Sequence, residues 1–299
     1  MKKNYRFSIV FSFLGLWITT LFPEDFELFL GFFLIFTFGM IHGSNDMLIV
    51  NKLTNLKKTS FIKTLATYLL VVSIAVLIFY WLPSIALILF VCFSAYHFGE
   101  QHWEESLESI TNTSKRLYFF AYGLFVLFMV FYFNEASVKM IVNEISGMTL
   151  NQLYTEHVLI TLGVFMLSFL AVILRQKEIK LNTVITELFT LLVLVIIFKS
   201  SSLIWGFTIY FIIWHSIPSL LEQIRFAYGS LDRKNIINYT KAALPYWVIS
   251  LVGMTLLYYL FKDEKHFYSL FFAFIAAVTF PHSFVMLKMF GSKKTTNLK

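Results

Sequence analysis

Cysteine is almost absent from this chain: Cys92 stands alone among 299 residues, which excludes an intramolecular disulfide and any thiolate metal site. Charge is scarce as well, with Asp, Glu, Lys and Arg making up only 14% of the sequence. No stretch is long or polar enough to be a linker between domains, and there is no low-complexity tract or clear internal repeat. A basic stripe with interleaved aromatics is missing too, so nucleic acid is excluded as a partner. What remains is apolar. Hydrophobic residues form 58% of the chain, far more than a soluble domain of this length can bury, so the excess must face lipid. Phenylalanine is unusually abundant at 36 residues. Those rings serve either as lipid-facing surface or as the walls of a tunnel for a long apolar ligand.

A helix that crosses a bilayer needs about 20 mostly apolar residues. Ten runs qualify, at 7–21, 27–50, 64–81, 84–101, 117–134, 154–174, 182–199, 203–223, 243–261 and 267–289. The expected fold is therefore all-α, a polytopic transmembrane bundle of about ten spans forming one integral membrane domain over residues 1–299. The first run follows Lys2, Lys3 and Arg6 but lacks a small-residue cleavage pattern, and it is read as a retained helix. With the amino terminus in the cytoplasm, all 24 basic residues except Lys139, Lys199, Lys262 and Lys265 fall in cytoplasmic segments. That asymmetry is what the positive-inside rule expects, and it places both termini in the cytoplasm.

Ionisable groups are costly within a bilayer, so each one found there is a candidate functional residue. Four of the seven histidines lie well inside predicted spans: His42 in the second, His97 in the fourth, His215 in the eighth and His282 in the tenth. All four spans run from outside to inside. Counted from the start of each run, the histidines lie 15, 13, 12 and 15 residues along. That puts them roughly 18–23 Å from the outer end at about 1.5 Å per residue, on one level within the cytoplasmic half. Four imidazoles at one depth suggest a single metal centre, since imidazole suits iron, copper, zinc and nickel.

Hydrogen-bonding groups cluster beside them. Asp46 follows His42 by one turn and shares its face. Glu100 and Gln101 follow His97 by three and four residues, Glu222 follows His215 by seven, and Ser44, Asn45, Ser216 and Ser219 lie near the same level. Such groups orient metal-bound histidines. Glu222 reads instead as the interfacial end of its helix. His102 is turned to a different face from His97 and could be a gate, a fifth ligand or a surface residue. His157 and His266 lie near the outer interface and are left out of the cluster. Gly39 and Gly43 give small-residue spacing for close helix approach, and Pro218 and Pro281 are expected to kink or open their helices beside His215 and His282.

Several short segments resemble one family. Met40-Ile41-His42-Gly43-Ser44-Asn45-Asp46 resembles the PHG-x-x-D segment of the bacteriorhodopsin-related-protein (Brp/Blh) family of β-carotene 15,15′-dioxygenases. Ser94-Ala95-Tyr96-His97-Phe98-Gly99 is similar to its S-x-x-HFG segment, and Trp214-His215-Ser216 and Pro281-His282 fit its WHS and PH segments in order. The resemblance implies a membrane-embedded non-haem Fe(II) enzyme that cleaves the central double bond of β-carotene with O2, giving retinal. His42, His97, His215 and His282 would be the iron ligands and catalytic residues, with Asp46, Glu100 and Ser219 around them. The carotenoid and O2 are the implied substrates, a bacterial cell (inner) membrane the implied location, and an opsin an implied downstream user of retinal. Three positions depart from the pattern. Ser219 stands where a second histidine often follows the WHS histidine, Ile41 replaces the usual proline, and His102 occupies an acidic position. The residues themselves also leave open a transporter that moves protons or a metal ion, a bis-histidine haem protein, and an assembly protein whose histidines only pack.

Overall fold

The structure, a computed structural model, describes residues 5–54, 58–151, 154–261 and 267–297. Among them every regular element is helical: α1 (Tyr5–Leu21), α2 (Glu24–Leu34), α3 (Met40–Ser44), α4 (Asp46–Thr54), α5 (Lys58–Trp81), α6 (Pro83–Trp103), α7 (Asn112–Phe133), α8 (Glu135–Ser146), α9 (Thr155–Arg175), α10 (Leu181–Ser200), α11 (Leu203–Ile209), α12 (Ile217–Tyr228), α13 (Arg233–Phe261) and α14 (Phe267–Asn297). Two wider π-helical turns interrupt them, at Ile35–Gly39 and at Tyr210–Ser216.

Eight of the described helical stretches are long and apolar enough to cross a membrane. The other two expected runs fall on α1 and α13. At 17 residues, α1 is roughly 25 Å long, short of the roughly 30 Å hydrocarbon core. The first turns of α13 carry Arg233, Lys234, Asn235, Asn238 and Lys241, so only its later part is apolar. Asp232 caps that helix by accepting the backbone N–H of Asn235 at 2.8 Å. The N–H of Asn235 and the Ser230 hydroxyl together hold its carboxyl below the usual carboxylate range.

The chain clusters into two compact units. One comprises residues 1–35, 94–139 and 151–215; the other comprises 36–93, 140–150 and 216–299. In the first, α7 packs on α9, α11 on α2, and α10 on α1, α7 and α11. Its interior is aromatic, built on Trp103, Tyr118, Phe119, Tyr122, Phe198 and Trp205. In the second, α14 packs along α5 and α4, while α3 lies against α12 and α13. Its apolar core has two patches. Ile49, Met286 and Met289 join α4 to α14, and Ala75, Phe79, Ala276 and Phe280 join α5 to α14.

Phenylalanine is divided between interior and surface. Phe7, Phe11, Phe29, Phe33, Phe38, Phe189 and Phe284 are exposed, beside exposed Trp17, Ile88, Val164 and Ile249. So many exposed large apolar side chains on helices long enough to span a membrane fit lipid-facing surface.

Candidate metal centre

In the second unit, His42 sits on α3 directly after the Ile35–Gly39 π turn. Widened turns of this kind shift the helix face and recur at functional sites. Here the shift lets the His42 Nδ1–H donate to the Gly39 carbonyl. Asn45 then breaks the helix at φ −97° and ψ 16°, and Asp46 starts α4. The sequence spacing put Asp46 on the face of His42, but the break turns it toward α14. There Asp46 Oδ1 accepts from His282 Nδ1 at 2.7 Å. Its second oxygen accepts from the Tyr68 hydroxyl at 2.9 Å. The His42 and His282 rings meet edge-on, 4.9 Å apart at 86°. Both Nδ1 atoms donate to oxygen acceptors, which assigns the Nδ1–H tautomer and leaves Nε2 as the nitrogen for coordination. Gly43 lies beside them, with room for a methyl group 3.8 Å from the His282 ring. The backbone stays helical through Pro281 and does not open there.

Ser219 is fully buried in the same unit, where its hydroxyl accepts from Gln223 Nε2 at 3.2 Å. Gln223 Oε1 accepts from the Tyr239 hydroxyl at 2.5 Å, and Asn45 Nδ2 donates to the Tyr239 carbonyl at 2.9 Å. This chain of amide and hydroxyl groups ties α12 and α13 to the Asn45 break between His42 and Asp46.

The first unit holds the other two histidines. His97 lies on α6, and His215 within the Tyr210–Ser216 π turn. Pro218 explains that turn, because its missing N–H removes a ladder bond at this point and the preceding turn widens. The two rings are edge-on, 4.7 Å apart at 81°. Phe98 stands edge-on to His215 at 4.6 Å, and Phe211 stacks on it at 5.5 Å. Glu100 is buried and accepts from Tyr96 at 3.3 Å.

His102 is buried, which overturns the reading of it as a surface residue. Its Nε2 lies 2.6 Å from Glu187 Oε2, its ring stacks on Tyr122 at 4.7 Å, and Tyr5 donates to the other Glu187 oxygen. Sequence reading passed over Glu187, although it is the only acidic residue in the apolar run 182–199 and so carried the usual signal. Removing Glu187 takes away the buried acceptor shared by His102 and Tyr5, and a buried donor deprived of its acceptor costs about 1–3 kcal/mol. Glu187→Ala is therefore expected to lower the melting temperature of the detergent-solubilised protein sharply. Glu187→Gln, which keeps an acceptor, should lower it less, and equal melting for both variants and the wild type would contradict the assignment. His157 is exposed, Glu222 is half-buried, and His266 lies outside the described residues.

Residues 33–290 match the family model for β-carotene 15,15′-dioxygenases. The chain belongs to that family. No curated protein and no solved structure matches the chain significantly. The stretch shared with the β-carotene 15,15′-dioxygenase family contains His42, His97, His215 and His282, both π turns, Asp46 and Glu187. It begins after α1 has ended, so α1 stands outside it.

Proposed function

We propose that this protein is a membrane-embedded, non-haem iron dioxygenase that cleaves β-carotene, or a related carotenoid, at its central double bond to give retinal. The observation that carries the reading is the pair of buried, edge-on histidine couples inside a region shared with the dioxygenase family. In this reading, as the family resemblance implies, His42, His97, His215 and His282 are the ligands of one iron. The residues fit Fe(II): neutral imidazole donors suit it, and Gly39 and Asp46 fix the tautomers of His42 and His282. Iron held there supplies binding and activation of O2.

The reaction balances without other reagents. One carbon–carbon double bond and the O–O bond break, and each carbon leaves with one oxygen atom as an aldehyde. Neither protons nor an external reductant are needed, which suits a site enclosed by Phe98, Phe211 and buried imidazoles. The polyene partitions into the bilayer and can enter from lipid without crossing water. With Ser219 in place of a second histidine after the WHS histidine, the four-histidine set is completed by His282, held by Asp46. The location in a bacterial inner membrane with both termini cytoplasmic, and an opsin as user of the retinal, complete the proposal. The competing reading, a proton or metal-ion transporter, draws on the buried His102–Glu187 pair.

Expression in a bacterial host that accumulates β-carotene, followed by chromatography of the pigments, tests this. The wild type should bleach the cells and yield retinal, while His42→Ala, present at an equal level in the membrane, should do neither. Untouched carotene with well-expressed, iron-loaded protein would rule out β-carotene as substrate and turn attention to other carotenoids or to transport.

A further inference from the structure

The helix α1 is apolar, and its residues are exposed or half-buried except for one buried residue, Ser12. A buried hydroxyl in an apolar interface is unfavourable unless a partner compensates it. Several membrane hydroxyls in this chain turn back on their own helix: Ser73, Thr161 and Ser283 each donate to the carbonyl four residues earlier. Ser12 differs. Its Oγ accepts the indole N–H of Trp214 at 2.9 Å, and both groups are buried. The indole nitrogen can only donate, so Trp214 needs an acceptor at that point.

Trp214 is the residue before His215, and both lie inside the π turn. The geometry of a π turn is looser than that of an α-helix, so the direction of its side chains depends more on outside ties. Three such ties run from α1. Tyr5 donates to Glu187 and lies 6.3 Å from the Trp214 ring. Ser12 holds Trp214, and the Gly15 carbonyl accepts from Trp205 Nε1 at 3.1 Å. Positions 5, 12 and 15 recur at i, i+7 and i+10, so they form one stripe on the helix. The two tryptophans stand on either side of the stretch that leads into His215.

We infer that α1 is the positioning element for His215, acting through the Ser12–Trp214 hydrogen bond. This rests on the reading of His215 as a metal ligand. It goes beyond the family, because α1 lies before the matched region. Ser12 is a positioning residue: it orients Trp214, and Trp214 sets the register of His215 on the π turn.

The test is titration of the purified full-length, metal-stripped protein in detergent with Co(II) alone. It reads affinity, the visible ligand-field band and the melting temperature. Ser12→Ala and Trp214→Phe should each weaken Co(II) binding about tenfold, in line with losses seen when groups that orient ligands are removed, and should shift the band. The double variant should be no worse than either single variant, since both break one link, and Ser12→Thr should restore the wild-type values. A lower melting temperature with unchanged affinity and band would overturn the inference, as would additive losses in the double variant. If Ser12→Ala does not fold, Trp214→Phe and its band shift carry the same test. His215→Ala separates the two levels. If it destroys Co(II) binding while Ser12→Ala changes nothing, only the positioning role fails; if it leaves binding intact, the ligand role of His215 fails and the inference with it.

Discussion

Gly99→Ala should leave almost no folded protein in the membrane. A Cβ built on Gly99 would lie 1.8 Å from the carbonyl oxygen of Phe119 and 2.5 Å from its carbonyl carbon. The contact is reciprocal one turn away, where a Cβ on Gly123 would lie 1.7 Å from the carbonyl oxygen of Ala95. Thus α6 and α7 touch backbone to backbone at two levels, with a small residue at each, the arrangement that lets membrane helices approach most closely. A methyl group meeting a flexible side chain can be absorbed by a rotamer change. One meeting backbone moves the whole helix. Overpacking of this kind costs about 3 kcal/mol or more, a large share of the stability of an ordinary domain.

The same substitution at Gly43 supplies the control. A Cβ there meets only the His282 ring and Val278 at 3.8–3.9 Å, which is ordinary contact. Gly43→Ala should therefore accumulate and melt like the wild type, although Gly43 and Gly99 both belong to histidine segments. Size-exclusion of detergent extracts, scored for monodisperse full-length protein, separates the two. A monodisperse Gly99→Ala protein with wild-type melting would show that α6 and α7 are not in backbone contact. Because His97 lies between Ala95 and Gly99, this contact also fixes the height of one histidine against α7.

Much of the fold could be read from apolar run length alone, because lipid enforces length and composition strictly. The histidines stood out for the same reason: a polar group in hydrocarbon is conspicuous. The pairing of those histidines was not legible, since a common depth says nothing about which helices are neighbours. The π turn at Ile35–Gly39 had no proline to announce it, whereas Pro218 marked the second as a place where the ladder fails. The partner of Asp46 was not legible, because the i,i+4 rule assumes an unbroken helix, and Asn45 breaks it. Ser12 looked like any serine in an apolar run, and only the tertiary position of Trp214 gives its hydroxyl a purpose.

Asp46 carries the second large effect. Its carboxylate is buried and holds two donors at once, His282 Nδ1 at 2.7 Å and the Tyr68 hydroxyl at 2.9 Å. Asp46→Ala leaves the His282 Nδ1–H facing a cavity, so the ring loses both its fixed tautomer and its orientation. Removal of the group that orients a metal-bound histidine lowers metal affinity about 10- to 100-fold, and Asp46→Ala should fall near the upper end, because Tyr68 loses its acceptor with the same substitution. Asp46→Asn discriminates between charge and geometry. Its amide oxygen still accepts from His282, and its amide nitrogen can donate to the Tyr68 oxygen, so orientation survives while the negative charge is lost. If the proposed iron site is correct, the expected order of Fe(II) affinity under anaerobic titration is wild type, then Asn, then Ala, with the step from Asn to Ala the larger. An equal loss for both variants would mean that the charge of Asp46, not its aim, sustains the site. Wild-type affinity in Asp46→Ala would remove His282 from the ligand set.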